Sequence, residues 1–236
     1  TVHLPGVPGE MIANIAVDSK YWLWINGKMV VFEGGLKRGP APGATYYDQV
    51  DIAPYLEKGE NTIALLVWHF GKNGFSHVNS GTAALLFCAQ GANLSIVSDK
   101  SWQCSVYRAY QNTEAPFPNY RLSESNIRFD ARKELAGWNM PDFSGKLGAS
   151  IEIVAPNEMP FGKLVARPIP MWKNGGLTDY PEVIKNEKGD TIRCRLPYNC
   201  QVTPYLHVKA PAGLVVGMLT DNYTCLLYTS PSPRDR

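Results

Sequence analysis

The stretch WHFGKNGFSHVNSG, residues 68 to 81, concentrates the side chains in this sequence best suited to hold a ligand. Its aromatic rings can cover the apolar face of a cyclic polyol, while its imidazoles and amides can bond hydroxyl groups. Trp68, His69, Phe75, His77 and Asn79 are therefore the candidate contacts, either for a carbohydrate or for a neighbouring domain. The same composition also suits an Ω-loop packed on its own aromatics.

Catalytic chemistry is harder to place. Cleaving a glycosidic bond takes two carboxylates on opposite sides of a sugar. Glu57 and Glu60 flank a turn, Asp179 and Glu182 lie in a polar stretch, and Asp221 follows the last apolar run, so each reads as solvated surface charge. His3, His69, His77 and His207 are scattered, with no HExxH spacing and no Ser/His/Asp order. No catalytic residue is assigned. Cys88, Cys104, Cys194 and Cys200 contain no CxxC pair, so no metal site and no cofactor are predicted. Buried free thiols are expected, with a Cys194–Cys200 bridge as the alternative. Lys37 and Arg38, in a Gly/Pro-rich loop, read as solvated.

These residues need a scaffold, and the pattern around them is that of strands. With 18 Pro, 21 Gly and many short β-branched or aromatic runs, the composition predicts an all-β chain. MIANIAV and YWLWI read as strands, and Asn26-Gly27 between YWLWI and KMVVF is a hairpin signal, since a type I′ turn needs positive φ at both central residues. Along YWLWI, Trp22 and Trp24 alternate with Tyr21, Leu23 and Ile25, so one set faces the core and the other a surface or neighbouring layer, with core packing the expectation for the tryptophans. TYYDQVDI predicts a strand, APYLEKGEN a single helical turn, and NTIALLVWHF and TAALLFCA core strands. NLSIVSD and the stretch around Trp102 to Tyr107 continue the series, and Phe129 to Gly137 predicts one short helix. About eight strands at this spacing fit a sandwich or jelly roll.

Charge excludes some partners. The formal net charge is +2 and no Lys/Arg stripe is interleaved with aromatics, which argues against nucleic acid. No apolar run is long enough to span a bilayer as a helix, so no membrane partner is predicted.

Two longer segments, VDSKYWLWINGKMV and YYDQVDIAPYLEKGENTIALLVWHFGKNGFSH, resemble the N-terminal β-sandwich domain of bacterial α-L-rhamnosidases. The resemblance rests on Asn26, Gly27, Asp51, Ile52, Tyr55, Leu56, Gly59, Glu60 and Asn61, in order and spacing. NYRLSESNIRFDARKELAGW resembles the stretch that follows this domain, and LPYNCQVTPYLHVKAPAGLVVGMLTDNY the opening of a second β-sandwich. The implied organisation is a jelly-roll or galactose-binding-like β-sandwich with its extension over residues 1–176, a linker at 177–190, and the incomplete start of a second β-sandwich at 191–224.

Residues 225–236, CLLYTSPSPRDR, resemble translated sequencing adapter and are expected to be a non-native tail. Without it, 21 basic residues face 20 acidic ones. The chain is thus expected to be truncated at both ends. By resemblance it is a non-catalytic accessory region of a glycoside hydrolase whose (α/α)6 catalytic barrel lies downstream. The partners implied are that catalytic domain and a rhamnose-containing glycan or glycoside, in a periplasmic or extracellular setting. An autonomous carbohydrate-binding module and a purely structural interdomain scaffold are the alternatives.

Overall fold

Residues Lys20–Ile25 show how one strand builds a two-layer fold. Tyr21, Leu23 and Ile25 are fully buried, while Trp22 and Trp24 are half-buried on the opposite face. The tryptophans, expected in the core, instead line the outer face, because successive side chains of a strand point to opposite sides.

The computed structural model describes residues 1–36, 39–71, 73, 77–112, 127–145, 147–148, 152–154, 158, 160–173, 175–198, 204–211 and 213–217. Its strands are β1 (Val2–Leu4), β2 (Ile12–Val17), β3 (Lys20–Ile25), β4 (Lys28–Gly34), β5 (Ala44–Asp51), β6 (Gly59–Asn61) and β7 (Ile63–Trp68). They continue with β8 (Leu85–Gln90), β9 (Ser95–Val97), β10 (Tyr110–Asn112), β11 (Ile127–Phe129), β12 (Lys163–Ala166), β13 (Glu182–Lys185) and β14 (Ile192–Arg195). Among the described residues helix occurs only as short 3₁₀ turns, Ala53–Tyr55 and Ala131–Lys133 among them, so the chain is almost all β. Lys37, Arg38, Phe75, Cys200, Asp221 and the adapter-like tail lie outside the described residues.

The chain divides into two units, Thr1–Asn174 and Gly175–Arg236. In the first, a 5-stranded sheet of order β12-β5-β2-β8-β9 and a 3-stranded sheet of order β4-β3-β7 supply one core. Ala13, Ile15, Phe87 and Ala89 come from the larger sheet, and Tyr21, Leu23, Ile25 and Val31 from the smaller. This is a β-sandwich, and burial of its inner faces is its main driving force. Strand β12 adds to β5 in parallel.

The Asn26-Gly27 hairpin forms as expected, with Ile25 opposite Lys28 and φ of 51° and 77° at the two turn residues. Asn26 also reaches across the fold. Its side-chain amide donates to Asn61 Oδ1 at 2.8 Å and to Tyr55 O at 3.2 Å, and its Oδ1 accepts from Thr62 N at 2.9 Å. Asn61 is fully buried; its Nδ2 donates to Glu57 O and Gly59 O, and its Oδ1 accepts from Glu57 N. Every polar position of that amide is therefore engaged.

Asp48 is the second buried polar centre. It is fully buried on β5 and accepts from Tyr21 Oη at 2.9 Å, Gly35 N at 2.7 Å and Arg167 Nη1 at 3.1 Å. Arg167 is itself 6% exposed and spends its other donors on Ile169 O and Pro170 O. Burial, and then Asp48 beside it, push the Tyr21 phenol far up, so it stays protonated and donates. Gly34 is needed beside it, because a Cβ there would lie 2.2 Å from the Tyr21 ring.

In the second unit, β13 and β14 pair as a hairpin whose turn is fastened by Asn186 Nδ2 donating to Asp190 at 2.6 Å. Strand β13 falls inside the stretch 177–190 that composition suggested as a linker. The described residues of TPYLHVKA and GLVVGMLT, expected as strands, carry none. Cys88 is a half-buried free thiol, but Cys194, expected to be buried, is an exposed one because both faces of its strand are open.

Removing the Asp48 carboxylate leaves a guanidinium uncompensated in the core. Asp48→Ala should therefore cost about 3–5 kcal/mol, the usual penalty for breaking a buried pair. The urea midpoint measures it. Glu60→Ala, which breaks only the exposed 2.9 Å pair with His3, should leave the midpoint unchanged.

Candidate functional site

The loop that leaves β7 is tied to the turn between β2 and β3, and Asp18 is the knot. Asp18 is 4% exposed, and its Oδ1 accepts from Ser19 Oγ at 2.5 Å while its Oδ2 accepts from Ser80 N at 2.6 Å. Ser19 N donates to Trp68 O at 2.9 Å, and Ser19 Oγ accepts from Phe70 N at 3.1 Å. Two imidazoles approach the same carboxylate. His77 Nε2 stands 3.2 Å from Ser19 Oγ and 3.5 Å from Asp18 Oδ1, and His69 Nδ1 stands 3.6 Å from that oxygen.

These residue types suggest a nucleophile triad, but the proton directions oppose it. The single hydroxyl proton of Ser19 goes to Asp18, so His77 Nε2 must be a donor toward Ser19 Oγ. A general base would need that nitrogen unprotonated. Ser19 is also 1% exposed, beyond the reach of a substrate. Burial works to raise the Asp18 carboxyl, but hydrogen bonds from Ser19 and Ser80, with His77 nearby, outweigh it and hold the group below its ordinary 3.8. The knot is an ionised carboxylate that fastens a loop.

Of the residues singled out in the sequence, Trp68 stacks on Trp22 with centroids 6.5 Å apart and an interplanar angle of 19°. Phe70 bridges the edge of Trp68 at 4.7 Å and the His77 ring at 4.9 Å. His77 is 3% exposed and faces inward. His69 is half-buried, and its Nδ1 has no hydrogen-bond partner. Asn79 shapes the turn, its Oδ1 accepting from Gly81 N and its own N donating to Asn73 Oδ1. The fold thus brings Trp68, His69 and His77 together around Asp18 and Phe70 and leaves Asn79 at the rim. No cluster of metal-ligating side chains occurs among the described residues.

A second aromatic group lies further along the same outer sheet face. A cleft of about 200 Å3 is lined by Trp24 and Leu66 from the sheet, by Tyr107 and Tyr110, and by Glu134, Leu135, Trp138 and Asn139. Trp138 meets Trp24 edge-on at 5.3 Å and Tyr107 at 6.0 Å, and Tyr107 Oη donates to Glu134 Oε1 at 3.4 Å. Burial, and then Glu134, push both tyrosine phenols up, so they remain donors. Sequence reading missed this cleft because its walls come from positions more than a hundred residues apart. The one signal was Trp24 on the strand face opposite Leu23.

No protein-family model and no curated protein matches the chain. Among solved structures it is similar to the GH78 family rhamnosidase of Bacillus sp. GL1, with a TM-score of 0.53 and 24% identity over 72% of this chain and 17% of that one. It is also similar to the α-L-rhamnosidase of Aspergillus terreus, with a TM-score of 0.52 and 22% identity over 80% of this chain and 22% of that one. The chain shares the fold of a rhamnosidase segment. That rhamnosidase-like fold spans less than a quarter of either protein's length.

Since folding lowers the pKa of Asp18, its contribution is complete above about pH 4 and disappears as pH falls through the folded value. Asp18→Asn should speed hydrogen exchange at the Ser80 and Phe70 amides at pH 7. The gap between wild type and variant should close as the buffer is taken below pH 3.8. A gap that widened in acid would contradict an ionised knot.

Proposed function

We propose that this chain is a non-catalytic accessory region of an α-L-rhamnosidase-like glycoside hydrolase, a β-sandwich that supports a catalytic domain carried by the same polypeptide. The observation behind this reading is the fold shared with a segment of two rhamnosidases, of which the chain covers 17% and 22%. The placement of the acidic side chains agrees with it. Glu60 pairs with His3, Glu57 lies 3.9 Å from Lys28, Glu182 pairs with Arg195, and Asp48 and Asp18 are buried in hydrogen-bonded centres.

The loop from Trp68 to Gly81 supports the same view. Its base is fixed by Asp18 and by ring-on-ring contacts, a build that suits a bearing surface for a neighbouring domain, with Asn79 at its rim.

Two measurements test the proposal. The chain alone should hydrolyse an aryl α-L-rhamnoside no faster than buffer, and turnover lost on Asp179→Asn or Glu182→Gln would overturn the accessory reading. In the source genome, the reading frame continued past Thr224 should encode a long segment of helical hydrophobic period. A frame that continued without such a segment would leave an autonomous module instead.

A further inference from the structure

Asparagine followed by glycine is the pair in which a side-chain amide is most open to attack by the next backbone nitrogen, because glycine places no Cβ in the way. The sequence holds three such pairs, at Asn26, Asn73 and Asn174. The fold treats the first two differently. Asn73 is exposed, and its Oδ1 accepts from Asn79 N at 2.8 Å. Asn26 is half-buried and held by its whole amide, Nδ2 donating to Asn61 Oδ1 and Tyr55 O while Oδ1 accepts from Thr62 N. Its backbone N also donates to Thr62 O at 3.0 Å. Bringing Asn26 Cγ onto Gly27 N breaks all three of the side-chain bonds, so the folded hairpin holds the amide away from attack.

We propose that Asn26 is a deamidation site gated by opening of the hairpin end, and that its product traps the opening covalently. In the opened chain Gly27 N attacks Asn26 Cγ. The N–Cγ bond forms, the Cγ–Nδ2 bond breaks, and Nδ2 leaves as ammonia with the proton from Gly27 N. Water then opens the cyclic imide. Addition at Cγ leaves aspartate at this position, and addition at the Asn26 backbone carbonyl carbon leaves isoaspartate, with the main chain running through Cγ. Both products are wrong for the same place in the fold. The aspartate turns a carboxylate toward Asn61 Oδ1 and Tyr55 O, two acceptors that had each received a donor. Asn61 cannot answer by turning its amide over, because its Oδ1 holds Glu57 N and its Nδ2 holds Glu57 O and Gly59 O. The isoaspartate adds a carbon to the main chain of a tight turn whose flanks pair as Ile25 with Lys28. The site does not depend on the accessory-domain reading, since all of these bonds lie within the unit Thr1–Asn174.

The test incubates the full chain in mildly alkaline buffer with and without guanidinium chloride. The tryptic peptides Tyr21–Lys28 and Asn73–Lys100 are then followed by mass spectrometry, with fragmentation to place the conversion of amide to acid. Asn26 should convert at least about a hundredfold more slowly in the folded chain than in denaturant, a ratio set by the opening equilibrium, whereas the rate at Asn73 should change less than about tenfold. Once denaturant is removed, conversion at Asn26 should be concentrated in the chains that fail to refold. Asn26→Asp, which makes one product directly, should lower the guanidinium midpoint or prevent folding, and Asn73→Asp should leave the midpoint unchanged. The proposal is overturned if Asn26 converts as fast in the folded chain as in denaturant, if Asn26→Asp keeps the wild-type midpoint, or if refolded and failed chains carry the conversion in equal proportion.

Discussion

Placing a carboxylate inside a β-sandwich is costly unless each oxygen is bonded, and at Asp48 the fold meets that requirement with groups from separate parts of the chain. The Tyr21 phenol comes from the 3-stranded sheet, the Gly35 amide from the loop after β4, and the Arg167 guanidinium from the end of β12. One fully buried side chain therefore fixes the distance between the sheets, the course of a loop and the docking of an edge strand. Such a centre adds little net stability compared with well-packed hydrophobic residues. Its effect is to penalise any arrangement that leaves one of those partners out.

The amides of Asn26 and Asn61 do the same for the hairpin end of the sandwich. Asn26 is a turn residue by its positive φ, but its side chain turns toward Asn61, which binds the backbone of the 57–59 turn. The residues that carried the sequence resemblance are thus tied to one another through space. Asn26 and Asn61 bond directly, and Asp51 accepts from the backbone of Met11 and of Ala53. That explains why the hairpin and the segment after β5 are legible in the sequence: each imposes a local backbone geometry that few residue types satisfy.

Alternation along β3 and the apolar runs of β2, β7 and β8 made the sandwich legible, because period and burial follow directly from strand geometry. The parallel addition of β12 to β5 was not legible, since pairing across more than a hundred residues leaves no local pattern. The candidate loop was visible by composition, but composition does not say which way a ring points. Composition suits His77 to a hydroxyl or to a domain contact, whereas the fold turns it inward because Asp18 and Ser19 lie beneath it. The cleft was invisible for a related reason. Tyr107, Tyr110 and Trp138 belong to an irregular stretch, and only tertiary packing brings them over Trp24.

The outer face of the small sheet carries aromatic residues along its length, and its two ends are finished differently. Near Trp22 and Trp68, the loop after β7 brings Phe70 and His77 across, and the buried carboxylate of Asp18 accounts for the closure by fastening Ser80 from below. Near Trp24, the cover is built from Trp138, Tyr107 and Met140, and Met140 lies where a Cβ on Gly27 would be, 2.4 Å from its sulfur. Gly27 is required at that turn for its φ of 77°, whereas the end of the flexible, exposed Met140 side chain gives way to a Cβ at little cost. Among the described residues the cover carries no buried charge corresponding to Asp18 and leaves Tyr110 and Glu134 exposed at its margin. One face of one sheet thus has one end closed over a buried carboxylate and another whose cover leaves Tyr110 and Glu134 at the surface.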